Sequence, residues 1–104
     1  KGIYSLAVPY WLEVWPRDRF LMIRTEDYKQ APAAHVQATA DFLGLRRMGN
    51  STWLQKAEKM KARNVKKYPP MLNETQALLQ EFYAPYNERL SEQLGGDPRW
   101  LWGY

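Results

Sequence analysis

Residues 19–28 read Arg19-Phe20-Leu21-Met22-Ile23-Arg24-Thr25-Glu26-Asp27-Tyr28, and the four apolar side chains set between two arginines decide the fold class. A short unbroken apolar run bounded by charge is the pattern of a strand covered on both faces, as in a parallel sheet between helix layers. The strand is expected over about residues 19–25, with Thr25-Glu26-Asp27 starting the loop at its carboxyl end. No other segment carries that pattern, and a lone strand leaves its backbone donors and acceptors unmatched. The chain is therefore expected to be the end of a larger α/β domain, mostly helical in this part, with one buried parallel strand.

The segments around it read as helices. Before it, Ile3, Leu6, Val8, Tyr10, Trp11, Leu12, Val14 and Trp15 give residues 3–15 a wide apolar face, the signal of a short amphipathic helix. Pro9 inside it is expected to kink that helix, and Trp15-Pro16-Arg17-Asp18 to close it as a turn. After it, Pro32 suits a first helical turn, Val36, Ala40 and Leu43 form an inward stripe, and Gly44 suits a C-terminal cap, which predicts a helix over 32–43. His35, the single histidine, has no second ligand or nucleophile at a spacing that reaches it, so a packed or solvated role is expected rather than a catalytic one. Trp53, Ala57 and Met60 predict a short helix with Lys56, Lys59 and Lys61 on its other face.

Tyr68-Pro69-Pro70 must be extended, because each proline also restrains the residue before it. Asn73 is then expected to cap a long helix, with Gln76 reaching back to the cap. Along that helix Leu78, Phe82, Tyr86, Leu90 and Leu94 repeat every four residues, an apolar face about 30 Å long. Pro85 is expected to kink it and Gly95-Gly96-Asp97-Pro98 to end it. The aromatic tail of Trp100, Leu101, Trp102 and Tyr104 is expected to pack back onto the domain, with Tyr83 and Tyr86 in the core.

With 104 residues the chain has room for one domain, expected over 1–104, with a modest core. The net charge is +4, and it is not evenly spread. Six cations between Lys56 and Lys67 face a single anion, Glu58, so the rest of the chain is close to neutral and the charge points to an acidic partner at one place. The absence of cysteine excludes disulfides, thiolate catalysis and a zinc knuckle. There is no apolar run near the length of a membrane span and no charged-then-apolar leader. Lys1 stands where a whole protein would begin with Met, so the chain is read as a piece of a longer protein with any targeting segment upstream. Asn50-Ser51-Thr52 and Asn73-Glu74-Thr75 both match the N-glycosylation acceptor pattern.

Four segments in order resemble the C-terminal part of the carbohydrate sulfotransferases. They are Gly2-Ile3-Tyr4 with Trp11-Leu12; Arg19 through Tyr28; Phe42-Leu43-Gly44-Leu45; and Pro69-Pro70-Met71 through Glu81-Phe82-Tyr83-Ala84-Pro85-Tyr86-Asn87, ending in Trp100-Leu101-Trp102-Gly103-Tyr104. The Arg-Thr-Glu-Asp-Tyr and Met-Leu-x-x-Thr pieces look closest to the chondroitin-type N-acetylgalactosamine 4-sulfate 6-O-sulfotransferases, and next to the heparan sulfate sulfotransferases. The resemblance implies a P-loop-like α/β fold and transfer of a sulfuryl group from 3′-phosphoadenosine 5′-phosphosulfate to a hydroxyl of an anionic, glycosaminoglycan-like glycan, without a metal. It implies a type II membrane protein of the Golgi lumen, with its anchor outside this chain. The phosphosulfate loop and catalytic base of such proteins precede the region matched here, so no catalytic residue is assigned and this piece alone is expected to be inactive.

What the family has in this region is a basic loop that closes over the nucleotide 3′-phosphate before the last helix. The nearest match is Lys61-Ala62-Arg63, with alanine where the heparan relatives have glycine and with residues 64–67 intervening before Tyr68-Pro69. Lys66 and Lys67 compete for the role by their distance from the proline. All four suit the ligand chemically, since arginine grips phosphate through a bidentate fork and lysine acts as a mobile point charge. The alternative from charge and aromatics alone is a small basic nucleic-acid-binding module. If the sulfotransferase reading holds, nucleic acid is not a partner.

Overall fold

The computed structural model describes residues 2–46, 52–60 and 66–102. The described elements are α1 (Tyr4–Val14), a 3-10 turn at Arg17–Arg19, α2 (Thr25–Gln30), α3 (Pro32–Phe42), α4 (Thr52–Glu58), α5 (Asn73–Gln93) and a second 3-10 turn at Pro98–Leu101. They form two compact units, one from residues 1–17 and 68–104, the other from residues 18–67.

In the first unit α1 and the C-terminal 3-10 turn both pack on α5. Pro9 lies inside α1 without breaking it. A proline there has no N–H to offer the carbonyl four residues back, which is that of Ser5. That carbonyl accepts instead from Gln93 Nε2 at 3.2 Å, so the gap that Pro9 leaves in one helix is closed by a side chain of another. Gln93→Leu should therefore orphan the Ser5 carbonyl and destabilise the protein by about 1–3 kcal/mol. In a Pro9→Ala background, where the residue-9 N–H can serve Ser5 again, the same change should cost clearly less. A double-mutant cycle read by denaturant unfolding measures the difference.

The C-terminal end of α5 closes with a Schellman motif. The Gly96 N–H donates to the Ser91 carbonyl at 2.7 Å and the Gly95 N–H to that of Glu92 at 3.3 Å. Gly95 and Gly96 both have positive φ, 90° and 78° respectively, where a Cβ would be strained, so this turn asks for glycine twice. The chain then folds back along α5. Ser91 Oγ donates to the Asp97 carbonyl at 2.8 Å and Asn87 Nδ2 to that of Leu101 at 3.2 Å. Trp100, on the turn that packs on α5, is buried, as are Leu90 and Leu94 of that unit, and its ring meets that of Trp102 at 5.8 Å. Trp102 in turn stacks on Tyr4 of α1 at 6.1 Å. The returning aromatic tail expected from the sequence is present as far as Trp102.

α5 has 21 residues, about 32 Å at 1.5 Å per residue. Its apolar stripe is not covered evenly. Leu90 is 3% exposed, whereas Leu78 is 66% and Phe82 52% exposed. The expected cap at Asn73 is also corrected, because Leu72 holds the N-cap position and no side chain caps the helix.

In the second unit α3 packs on both α2 and α4. α3 ends in the same way as α5, with the Leu45 N–H donating to the Ala40 carbonyl at 2.9 Å and Gly44, at φ 68°, donating to Asp41 at 3.1 Å. The helix expected over 32–43 and the short helix expected from Trp53, Ala57 and Met60 thus stand, as Pro32–Phe42 and Thr52–Glu58, with Met60 beyond the end of the second. Thr25-Glu26-Asp27, read as the start of a loop, is the first turn of α2. Its two carboxylates lie at the end where the helix dipole favours them, and Arg24 sits 3.7 Å from Glu26 and 3.8 Å from Asp27.

The strand expected over 19–25 is not formed. Among the described residues there is no strand at all, and a backbone ladder needs a second strand to exist. The segment nevertheless alternates along its length. Phe20, Met22 and Arg24 are half-buried, while Leu21 and Ile23 are 38% and 39% exposed. The alternate residues are thus moderately more covered than those between them.

Candidate functional site

The basic stretch starts on α4. Its last turn carries Lys56, whose Nζ lies 5.2 Å over the Trp53 ring, a contact that holds one cation against an aromatic face. Lys59 follows, exposed. Lys61 and Arg63 fall outside the described residues. Lys66 and Lys67 are described and exposed, and among the described residues neither is paired with a carboxylate. Tyr68, Pro69, Pro70, Met71 and Leu72 follow without helix and fully on the surface, up to α5 at Asn73. Two of the four proposed phosphate ligands are therefore seen as solvated ammonium groups in an irregular segment, the form in which a lysine is available to an anion. The first turn of α5 already holds Glu74, so that helix end is not an unopposed positive pole.

Other candidates settle into structural roles. His35 Nδ1 donates to the Ala31 carbonyl at 2.9 Å, one turn back on its own helix, and its ring meets Tyr28 edge-on at 6.1 Å. Glu26 and Asp27 are ion-paired with Arg24 as given above. Tyr83 and Tyr86 are half-buried, with Phe82 packed against both rings at 5.0 Å and 5.7 Å. No group of three or more metal-ligating side chains is found among the described residues, and no described helix is long and apolar enough to cross a membrane. The sequence reading missed the exposed aromatic surface of α1, where Tyr10, Trp11 and Trp15 all face outward. Its signal was present, since ten apolar residues among the thirteen from 3 to 15 are more than one helix face can bury.

A model of the sulfotransferase domain matches residues 1–89. Carbohydrate sulfotransferase 15 of Nototodarus sloanii is 34% identical over 93 residues, covering 86% of this chain and 58% of that protein. Heparan sulfate glucosamine 3-O-sulfotransferase 6 of Homo sapiens is 33% identical over 116 residues, 95% of this chain and 34% of the relative. Membrane-associated sulfotransferase kil1 of Dictyostelium discoideum is 28% identical over 100 residues, 96% and 20% respectively. The chain thus spans less than six-tenths of the length of each of these relatives. No solved structure matches it. With the family model covering most of the chain and carbohydrate and heparan sulfate sulfotransferases aligned along 86% and 95% of it, the chain belongs to the carbohydrate sulfotransferase family.

Proposed function

We propose that this chain is the C-terminal part of a P-loop-like α/β sulfotransferase domain that moves a sulfuryl group from 3′-phosphoadenosine 5′-phosphosulfate to a hydroxyl of a glycosaminoglycan-like glycan in the Golgi lumen. The observation that carries the reading is the family match over residues 1–89, which ends inside α5 and includes the whole basic stretch. The half-covered segment 20–24 fits a strand whose ladder is completed by residues of the larger domain. The donor supplies the activated sulfuryl group. By analogy with phosphoryl transfer, the protein contributes positioning and charge neutralisation around an in-line displacement.

In this reading Lys61, Arg63, Lys66 and Lys67 hold the 3′-phosphate side of the nucleotide and break no bond. The exposure of Lys66 and Lys67, without a carboxylate partner among the described residues, suits a strongly anionic ligand. Bond making falls to the phosphosulfate loop and base of the preceding part of the domain, so the chain by itself carries no sulfation activity. The test is isothermal titration of the full-length protein with adenosine 3′,5′-bisphosphate. Replacing the working pair, Lys61/Arg63 or Lys66/Lys67, by alanine should weaken binding by about tenfold or more, because a charge-assisted hydrogen bond is worth about 1.5–3 kcal/mol. Unchanged affinity in both double variants would remove the basic stretch from the donor site.

A further inference from the structure

We propose that Asn73 is an acceptor for an asparagine-linked glycan. The inference rests on the lumenal reading given above. Asn73-Glu74-Thr75 has the acceptor pattern, with glutamate and not proline in the middle and threonine in the third position. All three residues are exposed, and the seven residues before them, 66–72, are exposed and free of helix. The acceptor therefore sits at the junction of an accessible irregular segment and a helix end, where the backbone opens most readily.

Among the described residues the side-chain amide has no hydrogen-bond partner and caps nothing. Asn73 is the first residue of α5, the cap position belongs to Leu72, and no side-chain hydrogen bond caps the helix. Asparagines near helix starts usually spend their side chain on orphan backbone N–H groups; this one does not, so glycosylation takes no interaction from α5. Beside it stand Met71 and Leu72, 55% and 69% exposed. A bulky polar glycan at Asn73 would screen that apolar surface from solvent-borne association. The other acceptor pattern, at Asn50, lies outside the described residues.

The transfer needs a lipid-pyrophosphate-linked oligosaccharide as co-reactant. The Asn73 Nδ2 bonds to the anomeric carbon of the sugar, the bond from that carbon to the pyrophosphate oxygen breaks, and the lipid pyrophosphate leaves with the electron pair. One amide proton is lost to base, and no oxidation occurs.

The experiment expresses the full-length protein in animal cells in two forms, with its native N-terminus and with an added cleavable secretion leader. Peptide mapping after enzymatic glycan release in heavy-oxygen water reads the site, since a glycosylated Asn73 returns as labelled aspartate. Labelled aspartate at position 73 is expected in both forms. Asn73→Gln and Thr75→Ala should each lose one glycan increment on a gel, and Thr75→Ser should keep it. Label in the leader-directed form alone would uphold Asn73 as an acceptor and overturn the lumenal reading. Unlabelled Asn73 in the secreted, leader-directed wild type would overturn the proposal itself, whatever the variants do.

Discussion

Replacing Lys61, Arg63, Lys66 and Lys67 together by alanine should weaken binding of adenosine 3′,5′-bisphosphate to the full-length protein by about 100-fold or more. Two charge-assisted contacts at about 1.5–3 kcal/mol each suffice for that loss. The four-fold variant does not depend on which pair is the working one, because any cation that could substitute for a lost neighbour goes with it. The folded state should be little affected, as Lys66 and Lys67 are exposed and make no carboxylate pair among the described residues. Unfolding free energies of variant and wild type should therefore agree within about 0.5 kcal/mol. Raising salt should weaken the wild type more than the variant, since screening acts on the very charges that the variant lacks. Equal affinity and equal salt response would mean that this lysine-rich surface is only solvated.

Trp100→Ala should be the most damaging single change to the described fold, at about 3–5 kcal/mol. Trp100 is 7% exposed and anchors the returning tail: its ring meets Trp102 at its edge, and the Arg99 guanidinium lies 5.7 Å over it. Removing it should leave a cavity where the turn packs on α5 and loosen the stack of Trp102 on Tyr4. Trp100→Phe, which keeps an aromatic ring, should lose markedly less. Denaturant unfolding of the full-length protein reads both, and the midpoint should move without a change of slope. A loss under 1 kcal/mol for alanine would mean that the tail is held by its hydrogen bonds to Ser91 and Asn87 alone.

The helices were legible because their signals are local. Pro32 and Gly44 bracket α3, and Gly95-Gly96 ends α5 with the positive φ angles that such a turn requires. What stayed hidden depends on partners far along the chain. Pro9 reads as a gap in the helix's hydrogen bonding, and that Gln93 serves the freed Ser5 carbonyl cannot be read from the local sequence. The run Phe20 to Ile23 has the composition of a doubly covered strand, yet composition says nothing of whether a neighbouring strand is at hand. Periodicity likewise makes Leu78 and Leu90 equals on one stripe, although one is open and the other buried. Thr25-Glu26-Asp27 was missed as a helix start because α2 is only six residues long, less than two turns of pattern. At the site, charge density could single out the basic stretch but not choose between its two pairs, since alanine at position 62 weakens the one motif that would have ranked them.

The hydrogen bond from Gln93 to Ser5 has a consequence for how the protein reaches this structure. It joins residues 88 apart, within a unit assembled from two separated stretches of chain. α5 and its tail are neighbours in sequence and can clasp on the microsecond scale of local structure. α1 must be brought back across the fifty residues from 18 to 67, a closure whose entropy has to be met before any contact rewards it. The docking of α1 is thus expected to be a late step. Because closure entropy grows only logarithmically, even doubling the intervening segment would add about 0.6 kcal/mol, which leaves the stretch bearing the basic residues free to vary in length.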